Sequence, residues 1–276
     1  IALNIRGVRE SVLTLTPIFV LFAITHLVLI VGGIAAHVPD VPAVARSVGT
    51  GFRQGLATLG AGGMLLLLVH AYSLGGGTYT GLEAVSNGLP VMREPRVHTG
   101  KRTMLYMAVS LAFTAGGLLV CYLLWDVAPM YGKTMNAVLV ERVTKGLSFG
   151  RTFVVLTLLS EGALLVVGAQ TGFVDGPRVL ANLAVDNWMP RRFAALSERL
   201  SAQNGIVLMG TASLLALWYT HGDVRRLVVM YSINVFLTFS LSMFGMARLW
   251  TRTRAGRPGW KRKSALFVCG FFLCAT

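Results

Sequence analysis

The sequence predicts an all-α, polytopic membrane protein, and three observations carry that prediction. Apolar residues gather in blocks of about 20, the length a helix needs to cross ~30 Å of hydrocarbon. Only 13% of the 276 residues are charged, where soluble domains average about 25%. The charges that remain fall mostly between the blocks, in short links.

Taken in order, Arg6 and Arg9 make a short basic entry to a first span over about 11–36, with Pro17 in its first part. A loop is expected over 37–55, because Pro39, Pro42 and several small residues break the apolar run. The second span, about 56–87, is broken: an apolar lead from Gly62 to Ala71 runs into glycines, hydroxyls, an acid and an amide over 73–90. A basic turn from Pro90 to Arg102 precedes the third span, about 103–125. The polar stretch 126–150 carries a surface helix across 135–143. The fourth span is about 152–174, with its helix continuing beyond the membrane. The fifth and sixth are about 205–219 and 227–249. A seventh, 264–276, follows the basic link 252–263 and is cut off. The chain starts at Ile1 and stops inside an apolar run, so it is expected to be one transmembrane domain in part, lacking material at both ends.

A net charge of +14 would suggest nucleic acid as partner in a soluble protein. Here its placement argues otherwise. With the N-terminus in the cytoplasm, seventeen of the 25 Lys and Arg lie on cytoplasmic links and eight on the other side, among them Arg46, Arg53, Lys133, Arg142 and Lys145. That bias follows the positive-inside rule. The expected partners are therefore membrane lipid and a small-molecule or ion substrate, with a homodimer left open and no nucleic acid. Cys121, Cys269 and Cys274 sit singly in apolar segments and read as small buried hydrophobes.

The break is the first candidate site. Irregular backbone at membrane depth survives only where protein buries it or it lines a cavity. Gly75-Gly76-Gly77 makes unwinding cheap, and Thr78, Tyr79 and Thr80 add hydroxyl oxygens. Unwound carbonyls near Gly77 and half-helix ends can hold a cation. The competing reading is a kinked, glycine-rich packing face. Glu83, a carboxylate beside the break, is the candidate for proton exchange; the alternative is a structural acid. Glu161 and Asp175 on the fourth span are secondary candidates, with ion pairing to Arg178 the plainer role for Asp175. Gly168, Gly172 and Gly176 recur at the spacing of a close-packing helix face. The sixth span carries Tyr231, Ser232, Asn234, Thr238, Ser240 and Ser242, read as an inter-helix hydrogen-bond network or a polar lining. His26 and His70 read as core histidines with hydrogen-bond partners. Enzyme motifs fail: Gly132-Lys133-Thr134 has Val127 where a P-loop places its first glycine, and no H-E-x-x-H or G-x-S-x-G occurs. No enzyme activity and no bound cofactor is expected.

Thr80-Gly81-Leu82-Glu83-Ala84-Val85-Ser86-Asn87-Gly88-Leu89-Pro90, followed by Arg93-Glu94-Pro95, resembles the sixth helix of the amino acid–polyamine–organocation (APC) superfamily. More narrowly it is similar to a bacterial branch, once described as amino acid permeases, that includes potassium–proton symporters regulated by cyclic di-AMP. Asn4 to Ser11, Ala169 to Arg178, Met189 to Phe193 and Met230 to Phe236 resemble further blocks in the same order. The resemblance implies an inverted-repeat bundle of five plus five helices, of which this chain would hold about helices 5–11. It implies an ion site lined by Thr80 and Tyr231, with Glu83 in coupling; Gly77 and Thr78 join the candidates from the chemistry of the break. Tyr79 before Thr80, and Asn234 on the sixth span, depart from the branch's pattern. The transported species would be potassium with protons, or an amino acid; a non-transporting sensor or scaffold is the reading of another class.

Overall fold

The apolar blocks fold as helices, as their length and composition require. The computed structural model describes residues 8–79, 81, 85–86, 88–89, 92–195, 202–253 and 259–276. In chain order the helices are α1 (Val8–Ala36), α2 (Val41–Leu74), α3 (Arg96–Leu124), α4 (Met135–Val143), α5 (Gly150–Val185), α6 (Gln203–Thr220), α7 (Val224–Arg252) and α8 (Trp260–Ala275). Short 3-10 segments lie at Val38–Asp40, Gly75–Tyr79 and Arg191–Phe193. Among the described residues no strand occurs, and five stretches are long and apolar enough to cross a membrane. The molecule is an all-α, polytopic membrane protein.

Two elements differ from the sequence reading. The expected loop over 37–55 is helical from Val41 onward. Pro39 and Pro42 stand at the starts of helical segments, where the missing N–H is no loss. The bend comes later, at Gly60, with φ 68° and ψ 174°, a conformation that needs glycine. The helix at 135–143 lies where it is expected but not on the surface, because Ala137, Val138, Leu139 and Val140 are buried.

The chain divides into two bodies. The first comprises Ile1–Gly51 and Gly81–Ser213. There α1 packs on α3, α4 and α5. Leu29, Cys121, Leu139 and Val140 form its buried core. Gly33 allows α3 close to α1, since a Cβ there would lie 3.2 Å from Cys121 Sγ; Trp125 Nε1 donates to Gly33 O at 3.0 Å. The second body comprises Phe52–Thr80 and Leu214–Thr276. Its α8 packs along α7, as does the 3-10 segment Gly75–Tyr79. Cys269 and Cys274, unlike Cys121, are not buried.

The glycine series on α5 is a further correction. A Cβ at Gly168 or Gly172 would meet nothing within 4 Å, and only at Gly176 would one press a neighbour, Met209. Three glycines at packing spacing here make one close contact, not a seam.

Candidate ligand site at the interrupted helix

At Leu74 the α2 helix gives way to the 3-10 turn Gly75–Tyr79. The interruption falls where consecutive glycines lower the cost of leaving the α conformation. Farther on, Gly81 has φ 100°, and its carbonyl accepts from Val85 N at 3.1 Å. The helical half expected to continue to Asn87 lies largely outside the described residues.

The turn is seated on α7. A Cβ at Gly76 would lie 3.2 Å from Ser232 Oγ and 3.3 Å from the Phe236 ring. Gly76 is therefore the position that lets the interrupted backbone reach α7. Phe236 in turn meets Tyr72, with ring centroids 5.9 Å apart. Ser232 is 5% exposed, and its hydroxyl has no hydrogen-bond partner. A buried hydroxyl left unpaired costs ~1–3 kcal/mol, and a helical serine normally relieves this by donating to its own helix. Its neighbours do so. Asn234 Nδ2 donates to Met230 O at 2.9 Å, Thr238 Oγ1 to Asn234 O at 2.8 Å and Ser240 Oγ to Phe236 O at 2.7 Å. These three do not form the expected network between helices. Ser232 stands out as the one whose oxygen is left over, facing the turn.

A cavity of about 590 Å³ opens in the same body. Tyr72, Ser73, Ser232 and Ser240 are among its lining residues, with Phe236 and Leu237 giving it an apolar wall. His70 also lines it and is exposed, so the core role expected of His70 does not hold.

The candidate residues distribute as follows. Gly77 is exposed in the turn, and Thr78 belongs to the same turn. Tyr231 is half-buried on α7, next to Ser232. Asn234 is exposed and bonded to its own helix. Thr80 and Glu83 lie outside the described residues. Asp175 is half-buried on α5, in the first body. Glu161, also on α5, meets His26 of α1, with Nε2 to Oε1 at 3.1 Å.

Sequence reasoning passed over Ser232 and His26 as site residues. A signal for Ser232 exists: Ser232, Phe236 and Ser240 recur every four residues, one face of α7, and both serines are buried. What the sequence does not contain is the approach of Gly76, more than a hundred residues earlier.

A profile of the family described as amino acid permease matches residues 1–276. The potassium transporter KimA of Bacillus subtilis (strain 168) is 33% identical over 272 residues, covering 97% of this chain and 42% of the relative. The chain thus spans less than half the length of the curated relative it matches. No solved structure matches. The order of apolar spans, the interrupted helix and the full-length profile match all point one way: the chain belongs to the amino acid permease family of the APC superfamily.

Proposed function

We propose that the full-length protein is a proton-coupled secondary transporter that imports potassium, and that the interrupted helix supplies part of its ion path. The observation that carries this reading is the Ser232 hydroxyl, buried and without a partner, held against Gly76 in the turn. Hydroxyl and carbonyl oxygens are the ligands a hard monovalent cation takes, and an unwound segment offers both. Tyr231, Thr78 and Thr80, with carbonyls near Gly77, complete the oxygen set, and Glu83 couples to protons. Potassium as cargo is supported by the similarity to KimA. The N-terminal end of the chain faces the cytoplasm, from its Lys and Arg distribution.

The test uses the full-length protein in potassium-limited growth and in vesicle uptake. Because the Ser232 hydroxyl has no protein partner, Ser232→Ala leaves the fold intact and raises KM for potassium about tenfold, about 1.4 kcal/mol for the loss of one coordinating oxygen. Thr80→Ala and Glu83→Gln are expected to abolish uptake. Wild-type KM in Ser232→Ala, or intact uptake in the other two, removes this site assignment.

A second reading, an amino acid permease, is favoured by the cavity, which is in the size range of small-molecule sites and far larger than a bare ion. A substrate carboxylate would then sit against the Gly75–Gly77 turn at the end of the helix. Thermal stabilisation of the full-length protein by an amino acid but not by potassium selects this reading over the first.

A further inference from the structure

The first body carries a polar cluster that the ion path does not use. His26, in the middle of α1, is 1% exposed, and Glu161 of α5 is 19% exposed. His26 Nδ1 lies 3.0 Å from Phe22 O. A carbonyl can only accept, so this contact places a proton on Nδ1. Nε2 then faces Glu161 Oε1 at 3.1 Å. A lone-pair nitrogen and a bare carboxylate oxygen do not approach this closely without a proton between them. The pair therefore holds one further proton, on Nε2 or on the carboxyl, and is neutral as a unit in either arrangement. Phe22 stacks on the imidazole at 3.9 Å and fixes its plane.

Groups on the surrounding elements do not replace that proton with a fixed cation. On α3, Tyr122 lies within electrostatic reach of Glu161 and gives its hydroxyl to Asn136; Cys121 of α3 turns its thiol to Ile30 O. On α4, Arg142 binds the carbonyls of Trp125 and Asp126, and Glu141 binds Lys133. Among the described residues His26 is the basic group in ion-pair contact with Glu161. A hydroxyl lies beside the pair, with Thr25 Oγ1 3.4 Å from His26 Nδ1. Thr25 Oγ1 lies 3.4 Å from Ser160 Oγ. Thr157, one turn before Glu161 and fully buried, has an unpartnered hydroxyl.

We propose that His26 and Glu161 form a proton-binding site between α1 and α5, holding one exchangeable proton between imidazole and carboxylate. Loss of that proton takes the pair from neutral to a net charge of −1 inside the membrane, which drives α1 and α5 to rearrange or the site to recapture a proton. Its use in coupling, alongside Glu83, rests on the transporter reading above; its existence does not.

Two measurements on the full-length protein in lipid separate these. In pH-difference infrared spectra, with and without ring-15N histidine, a carboxyl band and a histidine band are expected to titrate together in wild type. Glu161→Gln should remove the carboxyl band and displace the histidine titration; His26→Gln should do the converse. Bands that titrate independently, each unaffected by loss of the other, overturn the proposal. His26→Leu/Glu161→Leu serves as the folding control, since a buried pair replaced on both sides by apolar groups is commonly tolerated; it should lose both bands. In vesicles, with rubidium as tracer, Glu161→Gln should keep exchange at equal pH but lose about tenfold in uptake driven by a proton gradient. A wild-type response to the gradient in that variant removes the pair from coupling. Wild-type protein that exchanges no tracer refutes the potassium reading, while the infrared result still decides the proton site.

Discussion

At Gly117 a single hydrogen atom separates two helices. A Cβ placed there would lie 2.6 Å from Ile30 Cγ2 and 3.2 Å from its Cδ1, and Ile30 is 1% exposed. Ile30 is β-branched and stiff at χ1, so it cannot swing aside, and α1 and α3 must separate instead. Gly117→Ala is expected to cost about 1–3 kcal/mol as overpacking. Gly176 looks tighter in sequence, as the end of a repeated glycine spacing, yet the nearest atoms to a Cβ there belong to the flexible side chain of Met209, with Cε at 2.7 Å and Cγ and Sδ at 3.3 Å. A methionine end can move at little cost, and alanine favours a helix interior over glycine by ~1 kcal/mol. Gly176→Ala should therefore fall within about 0.5 kcal/mol of wild type. Thermal melts of the full-length protein in one detergent compare the two; equal melting points would contradict this account of α1–α3 packing. The contrast shows what spacing can tell. Glycine periodicity marks positions where helices are able to approach, but the partner's side chain decides whether they must.

Among the elements, α4 shows where sequence and structure part. Met135–Val143 is nine residues long, too short to be stable alone in water, and its Ala137-Val138-Leu139-Val140 run has no single apolar stripe. It is held instead from both ends and several sides. Thr134 caps it, accepting from Ala137 N at 3.1 Å. Arg142 ties its last turn to the end of α3, donating to Trp125 O and Asp126 O at 2.6 Å each. Leu139 and Val140 are fully buried in the core with Leu29 and Cys121. The Gly132-Lys133-Thr134 triplet that resembles a nucleotide loop is thus explained by capping. Thr134→Ala is expected to cost ~1 kcal/mol and Thr134→Ser almost nothing, read in the same melts. A serine variant as unstable as the alanine would mean that the methyl group, not the cap, is what matters. The long spans were legible because composition alone writes a membrane helix. The start of α2 was not, since prolines and small residues serve equally at a loop or at a helix N-terminus. The contacts that make the candidate sites, Gly76 with Ser232 and His26 with Glu161, were not legible either. Each joins residues more than a hundred positions apart, the latter pair by 135, and no local pattern encodes such a meeting.

For the whole molecule, the distribution of charge makes a claim about sidedness that the helices allow to be tested within one body. The α3 helix has 29 residues, about 43 Å at 1.5 Å per residue, against ~30 Å of hydrocarbon. It is long and apolar enough for its two ends to reach opposite membrane faces. The first end carries Arg96, His98, Lys101 and Arg102, part of the lysine- and arginine-rich set. Beyond the second lies Tyr131, which is fully exposed. If the positive-inside bias orients the chain, a cysteine replacing His98 faces the cytoplasm and one replacing Tyr131 faces the opposite side. Both are exposed in the structure, so neither substitution disturbs a packed contact. In full-length protein lacking every native cysteine, Cys121, Cys269 and Cys274 included, an impermeant maleimide added to intact cells should label Tyr131→Cys at once and His98→Cys only after permeabilisation. The reverse pattern inverts the orientation of every span. Labelling of both sites in intact cells would mean that α3 does not cross the membrane, and the spans would need to be redrawn from that helix outward.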